Sequence, residues 1–334
     1  MTPADAALPV APLDKIPLAL VPVIALAALP LIPSLPTWIT LTVAGLAMGM
    51  MIFIMASGLT LVFGLMDVMN FAHGAFITVG AFVATSVLLP LSAWTHADSL
   101  WMNLAALLLA ILASMAVSGL LGVAFERVII KPVYGQHLKQ ILITMGGLIV
   151  AEQLIIVIWG PDMIALSKPM TLRGSFIFGD IAIEKYRVLA VLVGLAVFAA
   201  MFLVLNRTRV GLLIRAGVED SEMVESLGYR IRRVFIGVFT AGSALAGLGG
   251  VMWALYQETV TSGMGMHVMI LIFIVIIIGG LGSVGGCFIG ALLVGLVANY
   301  VGFLAPKVAL GSNILLMVLI LLWRPQGLYP VAKR

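Results

Sequence analysis

Long blocks of apolar residues, each about 17 to 25 residues and so able to cross the roughly 30 Å of hydrocarbon in a bilayer, alternate with short polar stretches along this chain. They predict spans near 16–34, 38–57, 70–91, 100–125, 140–160, 187–206, 234–256, 267–281, 284–304 and 308–323. The expected class is an all-α polytopic membrane protein with about 9 to 10 transmembrane helices. Pro17, Pro22, Pro30 and Pro33 interrupt the first block, which either crosses the membrane or lies along its surface. Residues 1–37 therefore read as a Pro-rich extension ahead of a 38–330 body, and residues 1–15 lack the basic start of a secretory signal.

Two stretches break the apolar pattern at membrane depth. In Ser57 to Phe76, Gly58, Gly64, Asp67, Asn70, His73 and Gly74 interrupt Leu, Val, Phe and Met; Ile276 to Gly290 holds six glycines, Gly279, Gly280 and Gly282 among them, beside Ser283. Freed backbone groups are costly in lipid, so such breaks persist where they are buried in protein or line a wet cavity. Corresponding interruptions in two halves of a chain point to a transport pathway. On these spans the two breaks are counterparts in pseudo-repeated halves, and the repeat is parallel. Beyond the membrane, Ser175–Phe178 and Ile181–Ile183 alternate around Gly179-Asp180, which predicts a short hairpin.

Composition agrees with the pattern: 63% of residues are hydrophobic, 10% are charged, and mean hydropathy is +1.22, against a charged share of about 25% in soluble domains. The basic residues sit in short loops without interleaved aromatics, which argues against nucleic acid. They report orientation instead. With the amino terminus inside, only Lys168, Arg173, Lys185, Arg187 and Lys307 of the eighteen Lys and Arg fall outside, so the positive-inside rule places both termini in the cytoplasm.

Ten of the charged residues crowd into Arg207 to Arg233, flanked by spans on both sides, which makes this a cytoplasmic loop. Ala216, Met223, Val224 and Leu227 follow helical spacing and predict one apolar face on a short helix; Glu219, Glu222 and Glu225 point elsewhere, and Gly228 supplies the stop. Such a helix is either a solvated connector or a plug for a cleft in a cytoplasmic motor.

Enzyme signatures are missing: the chain has no GxxxxGK[ST] loop, HExxH or GxSxG motif, and its four histidines lie in separate segments. Cys287, the single cysteine, rules out an intramolecular disulfide and a multi-thiolate metal site. No enzyme activity is expected of the chain, and any ATP must be handled by a partner. Asn70 and His73 stand either beside the pathway or as hydrogen-bond partners for backbone freed at the break. Asp67 reads as a cap for the following helix, Glu152 as an acid within a span, and Glu258 as an acid near the outer surface.

Four separated motifs carry a resemblance. Gly58-Leu59-Thr60-Leu61-Val62-Phe63-Gly64 followed by Asn70-Phe71-Ala72-His73-Gly74, the run Gly279 to Gly286, and Arg324-Pro325-Gln326-Gly327-Leu328 resemble the branched-chain amino acid permease family of ABC importers, whose relatives also serve urea and amides. The order Arg209-x-Gly211, Arg215-Ala216, Glu219-Asp220 and Gly228 resembles the coupling loop of importer permeases. The resemblance implies an inner-membrane permease subunit that passes a small hydrophobic amino acid or similar solute. It implies a second, related permease, two cytoplasmic ATPase subunits and an extracytoplasmic substrate-binding protein, with no cofactor on this chain. Gly64, Asn70, His73, Gly74, Gly279, Gly280, Gly282 and Ser283 would line the pathway. Arg215, Ala216, Gly217, Glu219, Asp220, Met223, Leu227 and Gly228 would meet the ATPase. An ion-gradient-driven transporter or channel is the rival, and it would need coupling acids at mid-membrane, where Glu152 is the one candidate.

Overall fold

The computed structural model describes residues 16–219 and 221–329. In chain order the helices are α1 (Ile16–Ala28), α2 (Leu35–Met66), α3 (His73–Leu88), α4 (Ser92–Thr95), α5 (Leu100–Phe125), α6 (His137–Trp159), α7 (Lys185–Arg207), α8 (Arg209–Glu219), α9 (Ser221–Ser226), α10 (Ile231–Gln257), α11 (Met264–Gly279), α12 (Val284–Leu304) and α13 (Ala309–Trp323). Two small antiparallel pairs gather at one end of the bundle: β1 (Ile164–Ala165) with β4 (Thr259–Val260), and β2 (Ser175–Phe178) with β3 (Ile181–Glu184). The opposite end carries α8 and α9, so the two ends are called the strand end and the α8 end.

Each expected span coincides with a helix, but they differ in reach. Among the described residues six are long and apolar enough to cross a membrane, whereas Ile16–Leu31, His73–Leu88, Met264–Gly279 and Gly311–Trp323 are shorter. The chain is a multi-pass membrane protein. Its hairpin forms as the alternation predicts, with Phe178 facing Ile181 and Gly179 at φ 61°, the positive φ that a glycine-first two-residue turn requires.

Helix α2 is the axis of the molecule. Ser34 caps its start by accepting from Thr37 N–H at 3.3 Å, and Met51 to Ala56 are wholly buried in a helix packed by α12, α10, α7 and α11. Lipid tails are as apolar as leucine, so close approach of backbones rather than a hydrophobic drive holds such helices together. Gly45 and Gly49 meet Leu296 and Ala291 of α12, and Gly80 of α3 meets Gly247 of α10. Ser114 Oγ of α5 donates to Gly80 O at 2.8 Å across the same contact. By contrast α6 and α13 lie at the periphery and leave Leu142, Val157, Leu319 and Leu322 exposed.

The first break is narrower than expected, and its counterpart lies elsewhere. Helix α2 continues through Gly58 and Gly64 to Met66, so only residues 67–72 leave the helix. Gly58 and Gly64 are contact points, against Gly242 and Gly282, and not interruptions. Asp67 ends α2 in the left-handed conformation (φ 51°) and does not cap α3, whose N-cap position is Ala72. At the other end Glu258 ends α10 in the same conformation (φ 57°); these are the two non-glycine residues with positive φ among those described. Each is followed by a short link and then by a helix of 16 residues, α3 or α11. Because α2 and α10 run antiparallel, with Gly58 on Gly242 and Met55 on Gly249, the repeat is inverted. The expected parallel pairing of 57–76 with 276–290 gives way to a pairing of 67–72 with 258–263. The second link reads in sequence as an outer loop, because Glu258, Thr259, Thr261 and Ser262 make it polar.

Candidate functional site

The first break turns back into the bundle. His73, the first residue of α3, donates from Nε2 to Met55 O at 2.9 Å, and Met55 lies eleven residues above the end of α2, about 16 Å along a helix. Helix α3 thus begins deep in the bundle beside the start of α11. Gly74 and Gly265 touch there, and Gly265 N–H donates to Thr78 Oγ1 at 3.0 Å. The freed amides of the link find partners on α6: Met69 N–H donates to Gln140 Oε1 at 3.3 Å and Phe71 N–H to Thr144 Oγ1 at 3.1 Å. Backbone satisfaction therefore falls to Gln140 and Thr144, which the sequence reading passed over, although two polar residues four apart in an apolar span were a usable signal. Asn70 does none of this. It is buried with both side-chain polar atoms unpartnered, as is His73 Nδ1. Asp67 instead sits 3.7 Å from His137 Nε2 at the α8 end.

The second break, 280–283, is built from glycine for a geometric reason. Gly280 and Gly282 have φ of 96° and 82°, which side chains rarely adopt, and a Cβ on Gly64 of α2 would lie 2.5 Å from Gly282 Cα. Gly279 and Gly286 press α11 against α12. Ser283 Oγ caps α12 by accepting from Gly286 N–H at 3.1 Å. The terminal motif closes over this turn: Leu328 and Tyr329 N–H donate to Ile278 O and Gly279 O at 2.9 and 3.0 Å, and Arg324 Nη1 donates to Leu328 O at 3.2 Å. Residues 324–329 are thereby a cap for the orphan carbonyls at the end of α11.

The eight residues proposed for a pathway fall into two groups. Asn70, His73 and Gly74 lie deep in the bundle, and Gly64, Gly279, Gly280, Gly282 and Ser283 gather at the α8 end of α2. None of the eight lines the concavity of about 620 Å³ at the α8 end or that of about 450 Å³ among α2, α11, α12 and α13.

At the α8 end the loop makes two helices where one was expected, with Asp220 between them and outside the described residues. The single apolar face also divides: Val224 is buried, whereas Met223 and Leu227 are about two-thirds exposed, 61% and 66%. Spacing alone could not foresee this, because α9 leans on α10 through a side other than the one with most apolar residues. Gly217 of α8 packs against the Ile231 side chain. Ala216 is half-buried beside it, and the helix backbone carries Arg215 and Glu219. Gly228 ends α9 at φ 85°, as the sequence implies. Arg127, Arg230, Arg232 and Arg233 surround the neighbouring concavity.

At the strand end Lys168 bonds Glu184 and lies 3.1 Å from Glu258, while Arg187 Nε holds the other oxygen of Glu184 at 3.0 Å. Burial alone would lower the Lys168 pKa, but the hydrogen bonds and charges of Glu184 and Glu258 carry it above the ordinary lysine value. Glu258 is thus committed to an ion pair. Glu152 is half-buried on α6 and faces Gly263. Glu126, overlooked in the sequence, is wholly buried in a π-helical turn, Glu126–Ile130, and accepts from Tyr134 OH at 2.8 Å.

Comparison with known proteins bears on the family. The family described as branched-chain amino acid transport system / permease component matches residues 41–323. The chain is 28% identical to the high-affinity branched-chain amino acid transport system permease protein BraD of Pseudomonas aeruginosa, over 89% of its length and 97% of the relative. It is 25% identical to LivH of Escherichia coli, over 85% of its length and 92% of the relative. It also matches LivM of the same organism, at 27% identity over 85% of its length and 69% of the relative. No solved structure matches. A multi-pass bundle with two helix breaks, matched along nearly its whole length by one family, belongs to the branched-chain amino acid transport system permease family.

Proposed function

We propose that the chain is the membrane-spanning permease subunit of an ATP-driven importer for branched-chain or similarly small hydrophobic amino acids. The relatives are named as permeases of high-affinity branched-chain amino acid transport. The observation that carries the mechanical part is the exposure of Met223, Leu227 and Tyr229 on an otherwise charged loop. Apolar side chains held out into water at a helix end are a surface for a protein partner. The α8 end then faces the cytoplasm, in accord with its arginines, and the strand end faces a substrate-binding protein outside an inner membrane. Two cytoplasmic ATPase subunits bind and hydrolyse ATP, and this chain binds no cofactor. Since the chain resembles both LivH and LivM, a second, related permease completes the membrane part.

Closure of the ATPases pulls on α8 and α9. Gly217 transmits that pull to Ile231 and so to α10, which contacts α2, α3 and α5. The two helix breaks flank this path, and Gly280 and Gly282 in the second permit a change of backbone at low steric cost. Each bound partner must favour one state of the gate over the other, or no switching results. The test is leucine uptake in vesicles carrying the full complex. Uptake with ATP and no ion gradient supports the reading; uptake with an ion gradient and no ATP would overturn it in favour of a secondary transporter.

A further inference from the structure

We infer that the concavity at the α8 end binds an anionic phospholipid, with the headgroup phosphate on its arginines and an acyl chain lying along α5 and α10. The inference needs the chain to sit in a membrane and stands apart from the importer reading. The concavity, of about 620 Å³, is lined by Arg127 from the turn that follows α5 and by Arg230, Arg232 and Arg233 around the start of α10, with Glu225 as the acidic residue among them. Positive charge is therefore in excess. Among the described residues none of the four guanidinium groups makes a hydrogen bond or an ion pair. Glu126, next to Arg127 in sequence, does not neutralise them, because it is wholly buried and its Oε1 accepts from Tyr134 OH. The backbone adds to the same field: Arg230, at the N-cap position of α10, supplies no side-chain cap, so the positive end of a helix of 27 residues lies at the concavity.

Guanidinium groups hold a phosphate through paired N–H donors and stay charged at any physiological pH. The surface beside them separates a lipid from a free phosphate. On α10 Arg233, Gly237 and Ala241 fall at steps of four, and Leu120, Ala124 and Arg127 fall at helical spacing on the α5 side, all of them exposed. Each arginine thus heads an apolar stripe that runs from the α8 end into the bilayer. Leu120 is 71% exposed, and nothing lies within 4 Å of where a Cβ on Gly237 would stand, which leaves room for a chain. From Arg233 to Ala241 the stripe covers about 12 Å of helix, a length within one leaflet of a hydrocarbon core roughly 30 Å thick. An anion at one end and an aliphatic chain behind it match both halves of this surface, and basic pockets between membrane helices take anionic lipid headgroups.

The test uses the full chain, purified in a neutral detergent and stripped of lipid. It is titrated with phosphatidylglycerol or with phosphatidylcholine of the same acyl chains, and bound lipid is counted by native mass spectrometry. Phosphatidylglycerol should bind about tenfold or more tightly than phosphatidylcholine, and added salt should shrink the difference. Arg232→Gln and Arg233→Gln should each weaken phosphatidylglycerol about fivefold. Arg127→Gln, Arg230→Gln, Arg232→Gln and Arg233→Gln together should bring it down to the level of phosphatidylcholine with the thermal midpoint unchanged in the absence of lipid, since these side chains are exposed and unbonded. Arg207→Gln with Arg209→Gln, which removes charge elsewhere at the α8 end, should leave the preference intact. Equal binding of the two lipids, or a preference that survives the arginine variants, overturns the inference. So does inorganic phosphate that displaces phosphatidylglycerol at equal concentration, which would assign the arginines to a free anion. Loss of bound phosphatidylglycerol when cytoplasmic ATPase subunits are added also overturns it, by making the concavity a protein contact.

Discussion

At the scale of single residues, the glycines and the buried polar groups answer to different physics. Gly64 matters for the space it leaves: a Cβ there would sit 2.5 Å from Gly282 Cα, and backbone cannot step aside as a flexible side chain can. Gly64→Val should lower stability by about 1–3 kcal/mol, read as a drop in thermal midpoint in detergent. Gly237→Ala, where nothing lies within 4 Å, should stay within about 1 kcal/mol of wild type; equal losses for both would contradict the packing account. Lys168 makes a pH-dependent case. Its pKa is higher folded than unfolded, so its contribution is complete below the ordinary lysine value of about 10.4 and is lost as pH rises through the elevated folded value. Lys168→Met should reduce stability at neutral pH and remove that alkaline loss. A titration of thermal midpoint against pH compares the two, and parallel curves would refute the buried ion pair. Of these residues, only glycine density was visible in the sequence. Which glycine touches which backbone depends on helix crossings that no local pattern encodes.

At the scale of elements, the loop between α7 and α10 carries the coupling hypothesis. Its charge and its stop at Gly228 were legible, because both are local. Its division into α8 and α9 and the exposure of Met223 and Leu227 were not, because they depend on how α9 rests against α10. Met223→Ser with Leu227→Ser should leave the chain folded and inserted but cut the stimulation of ATP turnover by loaded binding protein at least fivefold. Unchanged stimulation would return the loop to the role of a solvated connector. Gly217→Val should give the same uncoupling by forcing α8 away from Ile231.

At the scale of the whole molecule, α2–α3 and α10–α11 are inverted relative to one another, so the two ends of the bundle are told apart by their charge. If the α8 end is cytoplasmic, a thiol placed by Ser226→Cys, with Cys287→Ser, should be shielded from an impermeant reagent in intact cells and react once the membrane is opened. Labelling in intact cells would reverse the orientation and detach the loop from any cytoplasmic motor.

The amino-acid sequence by itself determined the approximate position of the apolar helices, the hairpin, the breaks after α2 and after α11, and the family. Each follows from composition over a window of about 20 residues or from a short motif, and membranes impose that window directly. The tertiary structure alone decided which break corresponds to which, that Asn70 and His73 are packed away with unpartnered polar atoms, and that residues 324–329 cap α11. Helix pairing within lipid is chosen by close fit between small residues far apart in sequence, and fit is a property of two surfaces together. Neither segment holds it alone.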